Sequence, residues 1–196
     1  MDAVLEEKAD KLLVKSHNQY ESSESLAPYN VKPSPIDQFR VWFKDALDGG
    51  KVREPEAMAL STASAAGVPS TRFVLLKQVD SKGFVFFTNY DSRKGRELSE
   101  NPHASLAIYW GEIHRQIRVV GRAERVSREE SEAYFKSRPL GSRLGAWASP
   151  QSTVVGDGQV ARLFEETRLR FGVGDDTKDA DIPLPEHWGG WRIIPK

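Results

Sequence analysis

The sequence predicts a mainly β fold with peripheral helices, and three observations carry that reading. Six short runs read as strands, at 57–64, 71–79, 83–89, 103–110, 114–126 and 187–194, bounded by Gly, Pro, Asn and Asp. The first three follow one another through short turns, as an antiparallel meander does, and the next two pair around Gly111-Glu112. Ser34, Ser92 and Ser127 each stand directly before a segment with the signals of a helix start.

At 196 residues the chain suffices for one well-cored domain and is short for two. Lys plus Arg number 28 and Asp plus Glu number 28, so no global field draws nucleic acid or an acidic membrane surface, and any cation cluster acts locally. With no cysteine, disulfides, thiolate nucleophiles and Cys-based zinc sites are excluded. No apolar run approaches a membrane span, and the acidic, amphipathic start MDAVLEEKADKLL is unlike a signal peptide. A cytoplasmic protein is the simplest expectation.

In chain order, Val4, Leu12, Leu13 and Val14 with charges between them predict a short, weak helix over residues 2–15. Residues 17–34 are rich in Ser, Asn, Glu and Pro without periodicity, which predicts a flexible arm over 1–34 ahead of a domain over 35–196. Ser34-Pro35-Ile36-Asp37 caps a helix whose Phe39, Trp42, Phe43, Ala46 and Leu47 share a face, and Gly49-Gly50 ends it. Ser92 caps a helix from Arg93 to Glu100, and Ser127 to Glu130 fits a capping box for another that Pro139 closes. Residues 159–171 predict a charged amphipathic helix, and 172–186 an acidic, Gly/Pro-rich loop with no core of its own.

The stretch RFVLLKQVDSKGFVFFTNYDSRK, residues 72–94, reads as a β-hairpin with charge at its rim. Arg72 and Lys77 bracket FVLL, while Thr88, Ser92, Arg93 and Lys94 follow FVFF, so cations and hydroxyls can converge on an anion such as phosphate. Arg93 and Lys94 fall in a first helical turn, where unpaired N–H groups and the dipole favour phosphate. Tyr134 and Arg138, four apart on a helix and followed by Ser142, make a second phosphate site; equally, they suit a packed aromatic beside a solvated charge. Gln116 shares a strand face with Arg118 and Val120, a position that also suits a solvated or cross-strand role. The histidines lack metal-ligand spacing, and Rossmann and P-loop glycine patterns are absent.

The ordered motifs R-x-V-L-L-K, F-F-T-N-x-x-S-R-K-G, R-Q-I-R-V-x-G, Y-F-x-S-R-P, Q-S and W-G-G resemble those of the pyridoxine (pyridoxamine) 5′-phosphate oxidase family, from about Pro35 to the last residue. The resemblance implies a six-stranded antiparallel split β-barrel of the FMN-binding type, a homodimer with FMN at the subunit interface. It also implies oxidation of pyridoxine or pyridoxamine 5′-phosphate to pyridoxal 5′-phosphate, with O2 as acceptor and H2O2 as product, and no strong protein base. The cofactor contacts implied are Arg72, Phe73, Val74, Leu75, Leu76, Lys77, Phe87, Thr88, Arg93, Lys94, Gln116, Gln151, Ser152 and Trp188. The substrate contacts implied are Lys77, Tyr134, Arg138, Ser142 and, from the arm, Tyr20. The family continues past the W-G-G strand into a Trp-Gln-Gly and an Arg-Leu-His-Asp-Arg motif, which this sequence does not reach, so a shortened member is expected. A flavin- or pyridoxal-phosphate-binding barrel with little or no oxidase activity is the alternative.

Overall fold

The computed structural model describes residues 5–8, 11–14 and 26–196; Tyr20 lies outside the described residues. The chain forms two units, Met1–Pro33 and Ser34–Lys196. In the first, β1 (Leu5–Lys8) pairs antiparallel with β2 (Lys11–Val14), where a helix was expected. Three consecutive apolar residues, Leu12-Leu13-Val14, do not keep a helical period, and a short extended run accommodates them.

The second unit holds a seven-stranded sheet rather than the expected six strands. Its elements are α1 (Pro35–Asp48), β3 (Ala57–Ala63), β4 (Pro69–Leu75), β5 (Gln78–Asp80), β6 (Gly83–Asn89), α2 (Arg93–Glu100), β7 (His103–Trp110), β8 (Arg115–Arg125), α3 (Arg128–Lys136), α4 (Leu140–Ala148), α5 (Gln159–Arg170) and β9 (Trp188–Pro195). The strand order is β4-β3-β7-β8-β9-β6-β5, and every pairing is antiparallel.

The extra strand arises because the run 71–79 does not stay on one partner. Up to Leu75 it pairs with β3; from Gln78 it pairs with β6 at the opposite edge. Leu76 N donates to Glu56 O (2.8 Å) and Lys77 N to Val85 O (2.9 Å), so two adjacent peptides join the two edges and curl the sheet toward closure. The expected FVLL/FVFF hairpin is therefore only β5 with the start of β6, while FVL of the first run belongs to the β3 side.

Helix ends follow local chemistry. Ser34 Oγ accepts from Asp37 N, Ser92 Oγ from Gly95 N and Ser127 Oγ from Glu130 N. The main core joins Met58, Leu60, Phe86, Leu106, Ile108 and Ile193 to Phe39 of α1, whose ring meets Phe84 edge-on at 5.0 Å. A second core holds Phe135, Leu144, Val173, Ile182, Leu184 and Trp188. The 172–186 loop thus has buried apolar anchors, contrary to expectation. They are spaced too irregularly to show as a strand or helix. Among the described residues no helix is long and apolar enough to cross a membrane.

Candidate functional site

Many of the residues expected to form the site gather where β6 ends, α2 begins and the corner between α3 and α4 approaches β9. A cavity of about 220 Å³ is lined there by Phe73, Val74, Leu75, Lys77, Phe87, Thr88, Lys94, Tyr134, Arg138, Gln151 and Trp188. A neighbouring cavity of about 320 Å³ shares Phe87, Thr88, Arg138, Gln151 and Trp188 and adds Ser142, Asn89, Ser149, Gly145 and Ala146.

Lys94 enters the first turn of α2, and its side chain folds back under the strand end. The residue is buried, and its Nζ donates to Thr88 Oγ1 (3.1 Å), Ser92 Oγ (3.3 Å) and Gln151 Oε1 (3.1 Å). All three partners are neutral. Burial, reinforced by the Arg72 charge, lowers its pKa to about 8. A buried ammonium held by neutral acceptors at a helix N-terminus fits an anion.

Arg138, half-buried, is the second cation at the cavity. Its guanidinium lies 4.6 Å from the Trp188 ring centroid, its Nη1 is buried without a hydrogen-bond partner among the described residues, and burial lowers its pKa against a smaller opposing effect of Tyr134. Phe87 stacks on Tyr134 (4.0 Å, 19°) and on Trp188 (5.6 Å, 12°), so three nearly parallel rings form the apolar wall beside it. This wall requires glycine opposite: a Cβ on Gly190 would lie 2.5 Å from Val126 and 2.8 Å from Phe87.

Arg72 and Arg93 stand beside this centre without lining either cavity. Arg72 donates to Leu60 O (3.3 Å), to Thr62 Oγ1 (2.6 Å) and to Ser70 Oγ, and pairs with Glu97 at 3.4 Å; Arg93 Nε donates to the other Glu97 oxygen at 2.8 Å. Glu97 is buried. Burial acts to raise its pKa, but hydrogen bonds from Ser70, Thr62 and Arg93 outweigh it and bring the value down to about 2. Sequence reasoning missed Glu97, though its four-residue spacing from Arg93 on a helix was the available signal. Leu76 and Ser152 also lie outside both linings, Ser152 as an exposed turn residue at φ 66°. Gln116 is exposed on β8, opposite Tyr109.

The cavity therefore suits a ligand with a flat ring and more than one anionic group. Comparison with known proteins bears on which. Residues 43–168 match the model of the pyridoxamine 5′-phosphate oxidase family. The chain belongs to this family. A pyridoxine/pyridoxamine 5′-phosphate oxidase of Burkholderia mallei is 52% identical over 175 residues, 89% of this chain and 78% of the relative, and the Burkholderia thailandensis protein of that name is 51% identical over the same shares. Among solved structures, PhzG from Burkholderia lata, in complex with tetrahydrophenazine-1-carboxylic acid, is similar with a TM-score of 0.77 at 32% identity, covering 88% of this chain and 82% of PhzG. A pyridoxamine 5′-phosphate oxidase-related, FMN-binding protein of Nostoc punctiforme shares the fold, with a TM-score of 0.61 at 16% identity over 88% of this chain and 83% of its own. The sheet is thus a split-barrel-like sheet of the family's type.

Proposed function

We propose that the chain oxidises pyridoxine or pyridoxamine 5′-phosphate to pyridoxal 5′-phosphate, with FMN as redox group, dioxygen as acceptor and hydrogen peroxide as product. The observation that carries this reading is the pair of cations, Lys94 buried and Arg138 half-buried with its Nη1 sealed from solvent, on one aromatic-walled cavity whose lining, among the described residues, holds no Asp, Glu or His. Two phosphorylated ligands need two such cations. The names of the relatives at 51–52% identity support the substrate.

Bound in this cavity, FMN supplies the two-electron chemistry. Lys94, with Thr88 and Gln151 orienting it, holds the cofactor's phosphate, and Arg72 and Arg93 add positive charge from behind. Arg138, Tyr134 and Ser142 take the substrate's phosphate, Lys77 lies between the two ligands, and the Phe87 and Trp188 rings exclude water from their apolar parts. Each charge-assisted bond to phosphate contributes roughly 1.5–3 kcal/mol, so retention depends on several acting together.

A homodimer belongs to the same proposal. Pairing rows place Phe73, Leu75, Tyr109 and Val120 on one face of the sheet, exposed at 74%, 43%, 66% and 49%, with Gln116 among them. A second copy covering this face would bring Gln116 to a cofactor seated at its edge. Sedimentation of the wild type as a dimer, and of Phe73→Asp as a monomer with weakened FMN retention, is the expected result.

The PhzG likeness supports a second reading, an oxidase acting on a carboxylated aromatic, since Arg138 suits a carboxylate as well as a phosphate. One experiment separates the possibilities: an absorbance spectrum of the purified protein, followed by pyridoxine 5′-phosphate without oxygen. A yellow protein whose flavin band bleaches is expected. A colourless protein that FMN does not reconstitute would remove both readings, and a yellow one reduced by a carboxylated dihydroaromatic alone would select the second.

A further inference from the structure

Arg143 lies on α4 one residue beyond Ser142, lines neither cavity, and is 6% exposed. Each of its three guanidinium nitrogens donates a hydrogen bond. Nε donates to the carbonyl oxygen of Arg138 (3.0 Å), Nη1 to that of Ala180 (2.7 Å), and Nη2 to the Asp179 carboxylate. The Arg138 carbonyl belongs to the corner between α3 and α4, outside the helical ladders of both, where a side chain is needed to satisfy and fix it.

We infer that Arg143 is the positioning residue for Arg138, setting the place of its guanidinium over Trp188 from behind the α3–α4 corner. The inference rests on the reading that Arg138 receives the substrate's phosphate. Two of the supports that hold that guanidinium are its own peptide and the ring of Trp188 beneath it at 4.6 Å, with the Phe135 ring further off at 5.8 Å. Arg143 binds the first directly. Through Asp179 and Ala180 it also grips the loop that leads into Trp188, which Arg128 holds further along by donating to Leu184 O (2.6 Å) and Pro185 O (2.9 Å). Both supports are thus referred to one buried, planar, five-donor group. A lysine has neither the reach nor the fixed fork to replace it. An ångström of drift in a positioning group can cost about a hundredfold in rate or affinity, so the effect should exceed that of one lost surface bond.

The test uses FMN-loaded wild type, Arg143→Gln and Asp179→Ala. Each is titrated with pyridoxal 5′-phosphate by tryptophan fluorescence and assayed with pyridoxine 5′-phosphate. Arg143→Gln is expected to raise both the Kd and the KM about tenfold while leaving kcat within twofold and FMN retention unchanged. Asp179→Ala removes only the exposed end of the clamp and should raise both about threefold. A lower melting temperature with unchanged Kd would make Arg143 merely structural and overturn the inference, as would FMN loss in step with the Kd. If Arg143→Gln fails to fold, Asp179→Ala decides, and an unchanged Kd there overturns it. If the wild type binds pyridoxal 5′-phosphate but does not turn over pyridoxine 5′-phosphate, the oxidase reading fails. The inference is then judged on the titration alone, with a tenfold loss supporting it and none overturning it.

Discussion

Lys94 Nζ sits 3.1 Å from Oε1 of Gln151, a residue 57 positions further along the chain, and the same distance from Thr88 Oγ1. Both contacts are to neutral oxygens, so they orient the ammonium without neutralising it. On the proposed reading, the counter-charge is an anion bound in the cavity.

That arrangement sets a pH dependence. Burial, with Arg72 adding to it, lowers the Lys94 pKa from 10.5 to about 8, so the unliganded protein loses this charge above about pH 8. Anion affinity is expected to be level below that point and to fall by up to about tenfold per pH unit above it, because the bound anion restores the proton. Stability of the unliganded fold runs the other way: between about pH 8 and 10.5 the unfolded chain binds more protons at this group, so its contribution rises with pH. Titration of unliganded protein with FMN from pH 6.5 to 9.5 reads the first effect. A level profile, or one that persists in Lys94→Met, would exclude Lys94 as the anion's partner.

Arg138→Ala tests whether the two cations serve different ligands. Loss of one charge-assisted phosphate contact amounts to about 1.5–3 kcal/mol, hence a ten- to hundredfold rise in KM for the phosphorylated substrate. FMN retention is expected to stay near wild type. Equal loss of FMN would show that the cavity does not divide its labour in this way.

The helix starts at Ser34, Ser92 and Ser127 were legible because capping is local chemistry, and all three appear as expected. The face shared by Gln116 and Val120 was legible from period-two alternation. The break at Leu76–Lys77 was not, because FVLLKQV is uniformly good strand sequence and only closure of the sheet divides it between β3 and β6. In the site, the meeting of Lys94 with Gln151 follows a loop closure that no local pattern encodes. Arg72 shows the same limit: its residue type suits an anion, but its hydrogen bonds run to Leu60, Thr62, Ser70 and Glu97, three of them on other elements.

Glu97→Gln probes that network. Hydrogen bonds from Ser70, Thr62 and Arg93 overcome burial and hold the carboxyl at about 2, below the usual 4.5, so its ionised form stabilises the fold above pH 4.5 and this contribution is lost as pH falls toward 2. At pH 7 the variant is expected to be less stable by about 2 kcal/mol, allowing for partial solvent screening. The gap should close between about pH 4.5 and 2. Urea denaturation across that range measures it, and a gap independent of pH would mean that packing rather than charge is at stake.

Gly190→Ala connects the last strand to the site. Gly190 pairs with Phe87 across β9 and β6, and an added Cβ would meet Phe87 Cε1 at 2.8 Å and Val126 Cγ2 at 2.5 Å. The Phe87 ring cannot retreat without disturbing Tyr134, stacked on it at 4.0 Å, or Trp188 at 5.6 Å. Overpacking of this kind costs about 1–3 kcal/mol, so a clear drop in melting temperature is expected. Because Trp188 carries the Arg138 guanidinium, the KM for phosphorylated substrate should rise as well. Ser99→Ala, on the far end of α2, serves as a control that leaves the ring stack intact. A variant that melts lower yet keeps the wild-type KM would show that the stack is a wall of the core and no part of the substrate site.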